Sequence, residues 1–126
     1  MFKTLMFIAI GGAFGAMMRF LSQATVYELV GKTFPFGTLF VNVAGSFLMG
    51  LLSIFLVEKF NLSAEWHLAI LVGVLGSFTT FSTFSLETLV LFEQGDLLKA
   101  MTNIALSVVL CVAAVWAGAY FAKQLV

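Results

Sequence analysis

Gly76-Ser77-Phe78-Thr79-Thr80-Phe81-Ser82-Thr83-Phe84-Ser85 is the stretch whose reading decides the fold. Six of its ten side chains are hydroxyls, and phenylalanine recurs at 78, 81 and 84. The stretch lies within an otherwise apolar segment from Trp66 to Phe92. At bilayer depth, so many polar groups need partners inside protein or trapped water. Ser and Thr hydroxyls compete with the helical ladder for backbone carbonyls, and Gly76 weakens a helix further. The pattern predicts an interrupted membrane helix with a polar interior.

The surrounding composition agrees. Of 126 residues, 62% are hydrophobic and 10% charged, too few charges to cover a soluble domain of this size. Net charge is zero and no basic run exists to hold nucleic acid, so nucleic acid is not an expected partner. A single cysteine, Cys111, excludes an internal disulfide and any cysteine-based metal cluster. In its apolar run it reads as a small hydrophobe. His67, the only histidine, rules out a histidine metal cage within one chain and reads as an interfacial residue near a helix start. Nothing resembles a nucleophile–base pair or a phosphate loop, so no catalysis is expected.

Charges and turn residues divide the chain into four hydrophobic spans, an all-α membrane protein built as one four-helix domain over residues 1–126. The first runs from about Thr4 to Val26; its apolar character continues past Arg19, too far for a signal peptide, so it reads as a retained helix. A connector from Tyr27 to Thr33 leads to Pro35, the only proline, which suits a helix start. The second span runs from about Phe36 to Val57, and Ser63 is placed to cap the third. That third span ends near Glu93, and the fourth runs from about Leu97 to Ala122. Each exceeds the ~20 apolar residues that cross a bilayer. Trp66, Trp116, Tyr27 and Tyr120 lie toward span ends, where amphipathic rings favour the interface.

Orientation is not decided by charge. Lys3, Lys59 and Lys123 fall on one side, Lys32, Lys99 and Arg19 on the other. Two readings fit: a weakly biased single orientation, or chains that insert both ways and pair antiparallel. Gly11, Gly12, Gly15 and Ala16 form small-xxx-small pairs that let helices approach closely. Asn42, Ser46, Gly50 and Ser53 form a small, polar stripe on the second span, which must face protein or water.

Several residues have two readings each. Asn42 either makes an interhelical hydrogen bond or turns an amide donor toward an anion or a water file. Arg19 either snorkels to headgroups or lines a vestibule and raises local anion concentration. Glu87, the sole acid well inside a span, suits a vestibule or an interhelical hydrogen bond better than proton coupling. Phe78, Phe81 and Phe84 are ordinary packing or, since a ring edge is electropositive, an anion-facing surface beside hydroxyl donors.

Three stretches together resemble the Fluc (CrcB-type) fluoride channels: Gly11-Gly12-Ala13-Phe14-Gly15-Ala16 with Arg19, Gly37 through Phe47 with Asn42, and Gly73 through Ser85. The likeness covers spans one to three, and the third stretch is its most specific part. The resemblance implies a dual-topology, antiparallel homodimer in a bacterial inner membrane, with two pores that pass fluoride passively out of the cell and relieve its toxicity. It implies a structural Na⁺ at the dimer centre, held by the main-chain carbonyls of Gly76 and Thr79 where two broken third helices cross. Phe81 and Phe84 would line the pores, Asn42 would donate to the ion, and Arg19 would stand near a vestibule. Ser82 and Thr83 would extend the hydrogen-bonding track, with Ser107 on the fourth helix assigned by rough position. A rival reading, a small dual-topology proton-coupled multidrug exporter, wants a carboxylate in the first span. This chain has Arg19 and no acid there.

Overall fold

The fold follows from which helices can bring bare backbone together. A computed structural model describes residues 1–126, all helical apart from short turns. Span one is α1 (Phe2–Val30). Span two is α2 (Phe36–Ile54), prolonged by a π-helical turn over Phe55–Lys59. Span three is divided into α3 (Ala64–His67), a π-helical stretch (Leu68–Leu75), α4 (Gly76–Phe78) and α5 (Phe81–Glu93). Span four is α6 (Leu97–Leu125). All four spans are long and apolar enough to cross a membrane.

Boundaries differ from the sequence expectation in informative places. α1 continues through Tyr27 to Val30 rather than yielding to a connector, because the Tyr27 ring packs on Gly37 and its hydroxyl donates to Glu87. The helix stops at Gly31, whose φ of 83° suits glycine and whose N–H returns to the Tyr27 carbonyl at 3.0 Å. Pro35 does stand at the start of α2. Ser63 precedes α3 as expected, but its hydroxyl caps nothing. Its carbonyl is the group turned to the helix, accepting from His67 N at 3.2 Å and lying 3.0 Å from His67 Nδ1. Asp96 caps α6 instead, accepting from Lys99 N at 3.3 Å. Hydrogen bonding from Lys99 holds the Asp96 carboxyl below the usual carboxylate range.

Two seams organise the bundle. α6 lies along α2, and α1 lies along the first part of span three. In the first seam Gly50 faces the Val115 carbonyl and Gly118 faces the Phe47 carbonyl, so closely that a Cβ on either glycine would run into main chain. In the second, Gly11 and Gly15 sit against the carbonyls of Ala69 and Val74, and Gly73 against that of Ile8. Backbone approach of this kind is how helices associate where lipid removes the hydrophobic drive. Gly12 turns its back to Gly73, and a Cβ on it would crowd only the Ser77 hydroxyl.

α5 is held differently. It has few neighbours in the chain, and Phe81, Leu86, Leu89 and Phe92 are exposed along it. Polar bonds pin it instead. Asn103 of α6, 2% exposed, donates from Nδ2 to Thr88 Oγ1 at 2.9 Å, and Thr88 Oγ1 donates to the Phe84 carbonyl at 2.8 Å. Asn103 escaped the sequence reading, although its four-residue spacing from Ser107 was visible.

Two outcomes are expected. Gly118→Val drives a branched side chain into the Phe47 carbonyl. It will destabilise the chain by at least the ~1–3 kcal/mol of ordinary overpacking, read as loss of monodisperse protein and a lowered unfolding temperature in detergent. A double-mutant cycle of Asn103→Ala and Thr88→Ala in bilayers will give a coupling of about 0.6 kcal/mol, and at most about 1.7.

Candidate functional site

Span three breaks at Thr79 and Thr80, three residues past Gly76. Both are extended, with φ, ψ of −85°, 160° and −154°, 113°. Hydroxyls supply the local reason. Thr79 Oγ1 donates to the Leu75 carbonyl at 3.0 Å, closing the first half of the helix. Thr80 Oγ1 accepts from Thr83 N at 3.2 Å and opens the second half as its N-cap. The Thr80 hydroxyl also donates to Thr83 Oγ1 at 3.0 Å and lies 3.4 Å from Ser82 Oγ. Ser82 and Thr83 therefore serve the cap of α5 within the chain.

The break is completed from two other spans. Asn42 of α2 donates from Nδ2 to the Thr80 carbonyl at 2.9 Å and accepts from Thr80 N at 2.7 Å. Arg19 of α1 donates from Nη1 to the Thr79 carbonyl at 3.4 Å. Gly45, one turn along α2 from Asn42, makes room for the break: a Cβ there would collide with Thr79 Cγ2 and crowd the Phe78 ring. Two helical bonds are diverted as a result. The amide that would bond the Gly76 carbonyl in a continuous α-helix is Thr80 N, which goes to Asn42. The one that would bond the Thr79 carbonyl is Thr83 N, which goes to the Thr80 hydroxyl. Gly76 itself is exposed, and a Cβ there would meet nothing closer than the Leu71 carbonyl at 3.7 Å, so close packing within the chain does not account for it.

Beside the break lies a cavity of about 350 Å³, bordered by Asn42, Ser46, Phe81, Phe84, Ser107 and Cys111 among others. Thus α2, α5 and α6 converge on one space. Phe81 and Phe84 meet at 5.3 Å between centroids with planes 51° apart, yet their burial differs sharply. Phe84 is 8% exposed and Phe81 is 78% exposed. Ser107 of α6 is buried and borders the same cavity. Cys111, expected as a plain hydrophobe, borders the cavity one turn further along α6.

A second polar cluster lies two turns along α5. Glu87 Oε1 accepts from Thr38 Oγ1 at 2.8 Å and from Tyr27 at 3.2 Å. Gln23 Nε2 donates to Thr38 Oγ1 at 3.0 Å. The other carboxylate oxygen, Oε2, is buried and has no partner in the chain. Glu87 thus makes the interhelical hydrogen bonds that its position allowed. Gln23, Thr38 and Tyr27 were missed as its partners because they lie on two other spans, at spacings no single helix face links. The cluster borders a cavity of about 450 Å³ that also reaches Lys32 and Gln94 at the end of the bundle.

The geometry is that of a helix break held by polar side chains beside a largely apolar cavity. Residues 6–119 match the family model described as CrcB-like protein, Camphor Resistance (CrcB). A protein of Methylococcus capsulatus named fluoride-specific ion channel FluC is 60% identical over 118 residues; these cover 94% of this chain and 52% of that one, so the chain spans about half of that relative's length. Proteins of the same name from Shewanella amazonensis and Geobacter sulfurreducens are 50% and 46% identical, and here the match covers 93% and 98% of the relative. The relatives are named as channels, not enzymes, in keeping with the lack of catalysis expected from the sequence. With four membrane-crossing helices and bacterial relatives along nearly its whole length, this chain is a multi-pass inner-membrane protein belonging to the CrcB family.

Proposed function

We propose that the chain is a passive, fluoride-selective channel that lets the anion leave the cell and so relieves its toxicity. The observation that carries this reading is the broken third span, with the Phe81–Phe84 pair, the Asn42 amide and the Ser107 hydroxyl around one cavity beside it. The names of the relatives support the choice of ion.

The physical demand on such a path is to replace part of the water held by a small, strongly hydrated anion. Aromatic ring edges are electropositive, and amide and hydroxyl hydrogens are donors, so Phe81, Phe84, Asn42 and Ser107 form the dry part of the route. Asn42 has two amide hydrogens and gives one to Thr80, which leaves the second for the ion. Ser82 and Thr83 extend the track at the start of α5, and Arg19 raises the anion concentration near the break. The helix N-terminus of α5 adds its positive end on the same side.

The functional unit in this reading is an antiparallel, dual-topology homodimer of single four-helix domains, with two pores. The near-even lysine distribution supports insertion both ways, and the 78% exposure of Phe81 supports a second wall supplied by a partner. A structural Na⁺ belongs at the dimer centre, held by the carbonyls of Gly76 and Thr79 from both chains. These residues suit a hard cation in one respect, because both carbonyls have lost their usual helical donors. When bound, the ion supplies positive charge that ties two breaks together. Arg19 already donates to the Thr79 oxygen, which has a second lone pair to offer.

Reconstituted into liposomes, the chain will release fluoride well above the protein-free rate while chloride efflux stays at background. Phe81→Ile and Asn42→Ala will each lower fluoride efflux about tenfold or more, a barrier change of roughly 1.4 kcal/mol. Chloride release as fast as fluoride release, or full efflux from both variants, would overturn the assignment. Single cysteines at opposite bundle ends will cross-link between chains only if the pairing is antiparallel.

A further inference from the structure

We propose that Asn42 is the positioning residue that sets the helix break. It dictates the extended conformation of Thr80, and through it the placement of Phe81, in addition to any contact it makes with an ion. This deepens the channel reading and rests on it only for the consequence at Phe81.

The argument is geometric. One side-chain amide engages both backbone groups of one residue: Nδ2–H donates to the Thr80 carbonyl at 2.9 Å and Oδ1 accepts from Thr80 N–H at 2.7 Å. In an α-helix the N–H and C=O of a residue point in opposite directions along the axis, so one amide cannot reach both. In extended backbone the two groups lie on the same edge, as in the hydrogen-bonded pair of an antiparallel ladder. The Asn42 amide therefore plays the part of a neighbouring strand one peptide long. It recognises only the extended form of Thr80, whose φ, ψ of −154°, 113° is that of a strand residue.

The need for such a partner follows from burial. Thr80 is 7% exposed, and no backbone group of a neighbouring helix bonds it. Leaving a buried N–H and C=O without partners costs about 1–3 kcal/mol each. Continuous helix would satisfy both, so without Asn42 the balance moves toward closing the break. Phe81 follows Thr80 directly, and its ring direction is set by where α5 begins. The amide is also held in register, since Gly45 on the next turn admits Thr79 against α2.

An aspartate tests the pairing. As a neutral acid it offers one acceptor and one O–H donor in nearly the shape of the amide, and satisfies both Thr80 groups. As a carboxylate it keeps the bond to Thr80 N–H but sets an oxygen against the Thr80 carbonyl. The charged or titratable neighbours are Arg19 on α1, which bonds the adjoining Thr79 carbonyl, Cys111 on α6 across the cavity, and Glu87 on α5, bonded to Thr38 one turn away on α2.

The experiment reads the Thr80 Cα and carbonyl chemical shifts, which separate extended from helical backbone, in nanodiscs without fluoride. Asn42→Ala should move both Thr80 shifts from extended toward helical values while those of residues in α6 stay unchanged. Asn42→Asp, which keeps the acceptor for Thr80 N–H in either protonation state, should move the Thr80 shifts less than Asn42→Ala does. Thr80 shifts that stay at extended values in Asn42→Ala would overturn the proposal. If the alanine variant does not fold, the same shifts in Asn42→Leu, which fills the space without polar atoms, decide in its place, and extended values there overturn the proposal. With no fluoride present, the result stands whether or not the chain conducts that ion.

Discussion

The two-way hydrogen bond between the Asn42 amide and the peptide groups of Thr80 is the constraint on which the interior depends. A membrane helix that stops in mid-bilayer exposes main-chain groups that lipid cannot satisfy. Here the bonds are made from within: threonine hydroxyls close one half and cap the other, an asparagine pairs with the residue between, and an arginine reaches a remaining carbonyl. Only because these partners exist can the chain hold two extended residues between helices. The cavity beside Phe81 and Phe84 is a consequence of that stop.

The rest of the bundle supplies a frame for it. The seams between α2 and α6, and between α1 and the first half of span three, are set by main chain meeting glycine. The second half of span three has no such seam. It is pinned by Asn42 to Thr80, by Tyr27 and Thr38 to Glu87, and by Asn103 to Thr88. Directional bonds fix position and rotation without requiring close apolar packing, which leaves room for cavities on either side of α5. Two ways of holding a helix thus serve two ends, a stiff frame and an open interior.

Much of this was legible from residue types. Apolar runs between charged turns gave four spans, and the density of hydroxyls from Ser77 to Ser85 pointed to a break. The stop falls at Thr79–Thr80 rather than at Gly76 because cap geometry decides where a helix ends, and glycine merely tolerates it. Asn42 could be singled out, but its partner could not, since pairing with a backbone group leaves no trace in another residue's identity. Tyr27, Thr38 and Glu87 form one cluster from three spans, and only the packing brings them together. The π-helical stretch over Leu68–Leu75 has no composition signal at all, being a run of ordinary apolar residues.

The glycine seams also bear on how such a chain tolerates drift. Where Gly50 meets the Val115 carbonyl and Gly118 meets the Phe47 carbonyl, each helix is recognised through atoms that every amino acid shares. The lipid-facing side chains of both helices are then relieved of specifying the approach. A handful of missing methyl groups thus carries the frame on which the polar interior is hung.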